Sequence, residues 1–592
     1  MMALAPLGVL AAEAAKPSDG GEKAFVDSLL ARMTLEEKLG QLNQPPGIGN
    51  DTGPKAKAAG TDQVRKGQVG SFLGMQGVKL TCDMQRVAVK ESRLGIPLLF
   101  GFDVIHGYRT VFPVPLGEAA SFNPVAVENT ARIAAVEATA HGIHWTYAPM
   151  VDVARDPRWG RVVEGSGEDT YLGEVLAAAR VRGFQGKDLR AADSVLATAK
   201  HFVAYGGAEA GRDYNTVDIS ERTLREVYLP PFHAAVDAGV GSVMASFNEI
   251  AGVPMHANGP LINGVLRGEW GFDGVLVSDY TGVMELMHHG IAANSTEAGT
   301  RALDAGVDID MVSEIYRKDM PKAVRAGKVS EATVDDAVRR VLNAKYRLGL
   351  FDNPYRNCDE SLEKSQTLTA DHRDAARTMA RESMVLLKNK GAVLPLSKQV
   401  RTLAVIGPLA DNPRAMLGSW AGMGRPEDVV TPLAGIRAAV GPETKVLYAR
   451  GADINTADTT GIAEAVRIAG QADAVLLMLG EAEDMSGEAN NRTSLDLPGV
   501  QEQLALAVQK TGKPVAAVLF NGRPLSVNSL QEQVPAILEA WFPGVEAGHA
   551  LADVVFGDYN PAGRLPITFP RNVGQVPIYY AHKNTGRPPR EE

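Results

Sequence analysis

Cysteine is almost missing: the 592 residues hold two, Cys82 and Cys358. They stand far apart, without His or Cys neighbours at metal-ligand spacing. A zinc site of the usual kind is therefore excluded, and the pair reads as two unpaired thiols rather than a disulfide. No apolar run approaches the ~20 residues that span a bilayer as a helix, so no membrane partner is expected. Basic stretches are missing too. The formal net charge is -10, and without a Lys/Arg stripe a nucleic-acid partner is not expected. No GxGxxG follows a strand and no Walker A sequence occurs, so no cofactor is expected, and no metal either. Internal repeats are absent.

What is present is ordinary for a globular enzyme: 45% hydrophobic and 22% charged residues. The length exceeds what one core can organise, so at least two domains are expected. Residues 3–12 form a short apolar run followed by an Ala-rich stretch, resembling a signal-peptide core with a small-residue cleavage site. The usual basic start is missing, so residues 1–20 are read as a partial signal peptide, with export to a periplasm or outside.

Between Val64 and about Gly349, apolar runs alternate with helical stretches. The runs are VGSFLGM, IPLLFGFDV, IHWTYAPMV, VLATAKHFV, VGSVMASFN, GVLVSDY and VDIDMV. Strand–helix alternation of that length predicts a parallel sheet with crossover helices. Seven strands point to a (β/α)8 barrel over residues 21–352, with the eighth strand unassigned. Polar residues close the strands: Asp103, Asp152, Lys200 with His201, Asn248, Asp279 and Asp310. A ring of strand-end polar groups predicts a shared cleft at the barrel's C-terminal face. Residues 353–375 read as a linker, opening on a helix written HRDAARTMARESMVLLKN. Residues 376–592 read as a second α/β domain, a parallel sheet between helix layers, incomplete at its C-terminal end.

Four segments could carry chemistry. Asp279 in GFDGVLVSDY is a metal ligand, a base, a nucleophile or a helix cap on spacing alone. In AKHFVAYGG, adjacent Lys200 and His201 diverge along a strand unless the chain bends, and both could donate to sugar hydroxyls or form a buried ion pair. In RDPRWGRVVEGSGEDTYLGE, Glu168 and Asp169 are expected to be structural and Arg161 to face the site. GEAEDMSGEANNRTSLDLPG crowds Glu481, Glu483, Asp484 and Glu488 into one loop, any of which could serve as a proton donor if drawn into a cleft.

Longer motifs decide more. GFDVIHG, RDPRWGR, EGSGEDTYL, AKHFVAYG, WGFDGVLVSDY, ARESMVLLKN, GEANNRTSLDLP and FGDYNPAGRLPITFP stand in that order. In these the chain resembles glycoside hydrolase family 3, in particular its bacterial periplasmic β-glucosidases, from about Val26 to the last residues. The resemblance implies a barrel joined to an α/β sandwich with the active site at their junction. It implies Asp279 as nucleophile and Glu488 as general acid/base of a retaining, exo-acting β-glucosidase working on small carbohydrates. Asp103, Arg161, Lys200, His201, Met244 and Phe247 would line the glucosyl pocket, with Tyr280 beside the nucleophile. Many relatives carry Tyr and Trp where this chain has Phe247 and Tyr280. A branch acting on N-acetylglucosaminides reads like KHFPGHG; KHFVAYGGAEAGRD lacks its second His and disfavours that branch. A β-xylosidase or exo-β-glucanase with the same carboxylate pair is the alternative within enzymes, and an inactive sugar binder the alternative outside them. Three-domain relatives add a fibronectin-like domain, which is expected to be absent here; a homodimer is left open. Retention implies an ionised Asp279, favoured by Lys200, Arg161 or His201, and a Glu488 held protonated by burial or by the charge of Asp279.

Overall fold

The computed structural model describes residues 19–47 and 59–588. The N-terminal segment read as a partial signal peptide lies outside them, except its last two residues, which begin a helix, Asp19–Leu30.

Eight short strands close a ring: β1 (Asn43–Gln44), β2 (Ser71–Leu73), β3 (Leu99–Phe102), β4 (Trp145–Thr146), β5 (Thr198–Phe202), β6 (Ser242–Ala245), β7 (Val275–Val277) and β8 (Asp310–Met311). Parallel pairing runs β2 to β3 to β4 and β5 to β6 to β7. Single bridges join the rest: Pro46 to Leu73, Trp145 to Leu196, Met150 to Lys200, and Val277 to Ile309. β1 against β8, Asn43 opposite Asp310, shuts the barrel. The unassigned strand is thus the first one, and it lies before Val64. Asn-Gln followed by Pro-Pro carries no apolar run, so periodicity passes over it. Its amide NH2 groups find partners across the chain, Gln44 Nε2 donating to Ser71 Oγ at 2.9 Å and Asn43 Nδ2 to the Gln68 carbonyl at 2.9 Å.

The crossover helices start where their caps dictate. Asn123 caps Pro124–Ala140 by accepting from Ala126 N, with Pro at the first position, where its missing N–H costs nothing. Asp169 caps Thr170–Gln185 by accepting from Leu172 N. The segment read as a linker is not free chain. It contains a short helix, Glu360–Ser365, and it is stitched to the barrel by a disulfide between Cys82 and Cys358, whose Cα atoms are 5.7 Å apart. The expectation of two unpaired thiols is therefore wrong. A sequence separation of 276 residues says nothing about distance once a barrel brings the chain back. Asn357 Nδ2 adds hydrogen bonds to the carbonyls of Thr139 and Ala192.

The helix of the second domain spans Ala370–Ser383 and is shorter than its apparent pattern. The VLLKN that follows is a strand, β9 (Val385–Asn389). The remaining strands are β10 (Thr402–Ile406), β11 (Lys445–Ala449), β12 (Ala474–Gly480), β13 (Val515–Phe520) and β14 (Ala536–Glu539). They lie in the order β9-β14-β13-β12-β10-β11. All neighbours are parallel except β9 on β14, so the sheet is mixed, with one antiparallel edge, rather than wholly parallel. The central strands are apolar on both faces, as strands covered on both sides must be. Leu403, Val405, Leu476, Met478, Val518 and Phe520 share a core with Val114, Leu116, Val162 and Val163 of the first domain. Their alternating neighbours Ala404, Ile406, Val475, Leu477 and Leu519 pack into a separate core on the other face. One face of the sheet thus continues into the barrel domain's core, and this packing fixes one domain on the other.

Candidate active site

A cavity of about 810 Å³ opens where the barrel mouth meets the second domain. From the barrel it takes Asp103, Arg161, Lys200, His201, Met244, Phe247, Asp279 and Tyr280; from the second domain it takes Glu483, Asp484 and Glu488. Every expected site residue therefore lines one space. The strand-end ring divides. Asp103, Lys200, His201 and Asp279 reach the cavity. Asp152 sits behind His201, while Asn248 donates to the Val203 carbonyl at 3.3 Å and Asp310 accepts from Tyr316 N at 3.2 Å. The last two hold loops rather than substrate.

Lys200 Nζ donates to Asp103 Oδ1 at 3.1 Å, both side chains buried or nearly so. The bend needed to bring Lys200 and His201 to one side is present: the pairing register of β5 shifts between Ala199 and Phe202, and the Lys200–His201 peptide is cis. His201 N and Nδ1 both point at Asp152 Oδ2, at 3.0 and 2.9 Å. With Asp152 ionised, that oxygen only accepts and Nδ1 is the donating nitrogen. Burial, then the charges of Arg161 and Lys200, hold the His201 ring well below its usual pKa. It is neutral and turns a lone pair on Nε2 toward the cavity, an acceptor where a donor was expected. Asp152 itself is pushed up to about 7 by burial.

Asp279 follows β7. Its N–H donates to His256 Nε2 at 3.0 Å and its Oδ1 accepts from Tyr280 N at 2.7 Å. Oδ2 is buried and accepts no hydrogen bond from any described residue; His201 Nε2 is 3.7 Å away. Burial first, then the charge of Glu488, raises this carboxyl to about 8, while Arg161 and Lys200 pull it down. The expected help from Arg161 and Lys200 is present in sign, is outweighed by burial, and does not come from His201.

The acidic loop resolves into separate jobs. Glu481 is fully buried and structural, accepting from Arg492 Nη1 at 2.6 Å, Arg523 Nε at 3.1 Å and Gly522 N at 3.2 Å. Glu483 pairs with Arg414 at the rim. Glu488 reaches inward, with Arg161 Nη1 at 3.6 Å from its Oε1. Arg161 is itself held by a two-pronged fork on Glu164, 2.9 Å at each prong. Glu168 and Asp169 are structural as expected: Glu168 accepts from Thr568 N and Oγ1, and Asp169 caps a helix and meets Tyr580 Oη.

The two loops interlock through backbone. Gly487 N donates to Gly160 O at 2.7 Å and Arg492 N to Arg158 O at 3.1 Å. A Cβ on Gly160 would overlap the carbonyls of Gly487 and Asn490, so only glycine permits this approach. Two aromatic residues escape sequence reasoning. Tyr214 donates to Glu488 Oε1 at 2.7 Å. Trp420 lines the cavity with its ring centroid 5.5 Å from Lys200 Nζ. Neither sits at a strand end, and only the tertiary approach of their loops brings them in.

The sequence matches the model of the glycosyl hydrolase family 3 N terminal domain over residues 34–344 and that of the C-terminal domain over residues 384–591. The second match carries family sequence to residue 591, so the expected absence of a C-terminal part is not borne out by it. A periplasmic beta-glucosidase of Salmonella typhimurium is 46% identical over 588 residues, covering 95% of this chain and 76% of that protein. A beta-xylosidase of Formosa agariphila is 42% identical over 530 residues, covering 85% of this chain and 73% of that protein. The crystal structure of a beta-glucosidase from Listeria innocua in complex with isofagomine superposes with a TM-score of 0.92 at 42% identity, covering 96% of this chain and 79% of that one.

Proposed function

This chain belongs to glycosyl hydrolase family 3, and on that premise we propose that it is a β-glucosidase that removes terminal β-D-glucosyl residues with retention, Asp279 attacking and Glu488 moving the proton. The observation that carries the reading is the buried Oδ2 of Asp279, which accepts no hydrogen bond from any described residue and opens onto the same cavity as Glu488. A buried oxygen without a partner is costly unless a ligand completes it.

In the first step Asp279 Oδ2 bonds to the anomeric carbon as the bond to the leaving oxygen breaks, and the proton of Glu488 passes to that oxygen. In the second, Glu488 takes a proton from water, the resulting hydroxide bonds to the same carbon, and Asp279 departs as carboxylate. Asp103, Lys200 and His201 supply an acceptor, a donor and an acceptor for sugar hydroxyls on the buried barrel side of the cavity. Hydrogen bonds made there, out of water, hold the glucosyl unit over Asp279. Retention calls for the two reacting carboxyls to stand about 5–5.5 Å apart with substrate bound.

The name of the Salmonella relative and the Cys82–Cys358 disulfide support an exported, oxidising location, because thiols are kept reduced in the cytosol of most cells.

The test uses 2-deoxy-2-fluoro-β-D-glucosyl fluoride, which forms the first intermediate and reacts on slowly. Mass spectrometry should find the adduct on the peptide carrying Asp279, and Asp279→Asn should form none and leave p-nitrophenyl β-D-glucoside intact. An adduct elsewhere would overturn the assignment. A kcat/KM for the xyloside above that for the glucoside would move the reading to a β-xylosidase.

A further inference from the structure

Glu488 sits on a loop of the second domain, yet its chemistry must happen over the barrel. Its placement depends on two neighbouring barrel-domain residues. Asp213 Oδ2 accepts from Ala489 N at 2.8 Å, and its other oxygen accepts from Trp159 Nε1 at 2.9 Å. Tyr214 Oη donates to Glu488 Oε1 at 2.7 Å. Trp159 is buried, so Asp213 is anchored in the first domain while it grips the backbone next to Glu488. Ala489 has φ of 60°, a left-handed conformation uncommon for a residue with a side chain, and its N–H bond to Asp213 holds it there. The Tyr214 ring meets Phe247 edge-on, with centroids 5.1 Å apart at 88°. That contact ties the ring to the wall of the glucosyl pocket.

We propose that Asp213 and Tyr214 form a positioning clamp on the acid/base residue, and that Tyr214 selects the oxygen of Glu488 that delivers the proton. The proposal rests on the reading of Glu488 as acid/base. Oε1 is occupied: it accepts from Tyr214 and stands 3.6 Å from Arg161 Nη1. Oε2 accepts no hydrogen bond from any described residue. A carboxyl whose one oxygen accepts from a hydroxyl and faces a guanidinium charge carries its proton on the other. The clamp therefore leaves Oε2 as the group facing the leaving oxygen in the first step and the water in the second. Burial and the nearby charge of Glu488 hold the Tyr214 hydroxyl above its ordinary pKa, so it remains a donor throughout the working range.

The consequence is a dependence on the leaving group. Departure of a sugar alkoxide needs the proton, whereas departure of dinitrophenolate scarcely does. Losing the clamp should therefore cost more on cellobiose than on dinitrophenyl β-D-glucoside. We expect Tyr214→Phe, which keeps the ring and its contact with Phe247, to lose at least about tenfold more kcat/KM on cellobiose, part of the ~100-fold or more that general acid catalysis contributes. Asp213→Asn, measured alongside, should show the same asymmetry. It also keeps the proposal testable if Tyr214→Phe is poorly folded. Equal losses on both substrates in both variants, or no loss on cellobiose, would overturn the clamp. Glu488→Ala run in parallel separates the two levels. If it shows the asymmetry and the clamp variants do not, only the clamp fails. If it shows none, the acid/base reading fails and the clamp with it.

Discussion

Arg523 offers the sharpest test of how the second domain holds the loop that carries Glu488. Its side chain is fully buried. Nη1 donates to the carbonyls of Pro157 at 2.9 Å and Arg158 at 3.1 Å in the barrel domain. Nη2 donates to the carbonyls of Met485 and Asn490, on either side of Glu488, and Nε to Glu481 Oε1 at 3.1 Å. One guanidinium thus spans the junction. Arg523→Met keeps the apolar stem and removes all five bonds, leaving Glu481 buried with Arg492 as its one cationic partner and the Gly522 N–H. Removing one partner of a buried ion pair costs about 3–5 kcal/mol, chiefly because the other charge remains buried. For a unit of some 200 residues, ~2–4 °C is lost per kcal/mol, so Tm should fall by roughly 6–20 °C. Turnover should fall as well, since a displacement of Glu488 by ~1 Å is worth about 100-fold. Differential scanning calorimetry and kinetics on Arg523→Met, Glu481→Leu and the double variant would decide it. Once Arg523 is gone, Glu481→Leu should cost at least about 1 kcal/mol less than it does in the wild type, because only the partly exposed Arg492, and no longer the fully buried Arg523, then loses its carboxylate. Strictly additive costs, or an Arg523→Met enzyme within about 1 kcal/mol of wild type, would refute the picture of a buried strut.

Two further outcomes follow from the scaffold. The Cys82–Cys358 bridge closes a loop of 276 residues, which chain entropy values near the top of the usual range, about 5 kcal/mol. Dithiothreitol should therefore lower the Tm of the wild type and leave that of Cys82→Ser/Cys358→Ser unchanged; equal curves with and without reductant in both would contradict the bridge. Burial lowers Lys345 to about 7 while its Nζ donates to Gln41 Oε1 at 2.6 Å and to the Gly70 carbonyl at 2.9 Å, bonds that a neutral amine can also make. Between about pH 7 and 10.5 the unfolded chain holds this proton and the folded one does not, so folding stability rises with pH by up to ~1.4 kcal/mol per unit. Denaturant unfolding should show the wild type gaining on Lys345→Met as pH climbs through that window; a constant difference between the two would show that the amine stays charged in the fold.

Much of this molecule is legible along the chain. Strand ends that pass from apolar to Asp, Lys or His mark the barrel mouth, and Asp103, Lys200, His201 and Asp279 are found there because a parallel barrel delivers every strand's C-terminal end to one face. Arg161 and Glu488 needed the family motif as well, since a loop dense in charge does not say which group turns inward. The errors share one cause. The strand β1 carries no apolar pattern, because Asn43 and Gln44 are held by hydrogen bonds to Gln68 and Ser71. VLLKN was joined to the helix before it because a short apolar run has no period of its own, and only pairing with Ala536–Glu539 makes it a strand. Cys82 and Cys358 stand 276 residues apart in sequence and 5.7 Å apart in space, and only the return of the chain around the barrel joins them.

The sequence by itself determined most of the element order and the polar residues at the strand ends, because these follow from local periodicity and from residue type. Tertiary structure alone decided that Glu481, of four clustered carboxyls, became a buried strut while the other three line the cavity. It also decided that His201 presents a lone pair, and that Tyr214 and Asp213 reach across to the loop carrying Glu488. Those outcomes depend on burial and on contacts between segments more than 250 residues apart. A side chain's charge state and orientation answer to the dielectric and donors around it, which no stretch of sequence contains.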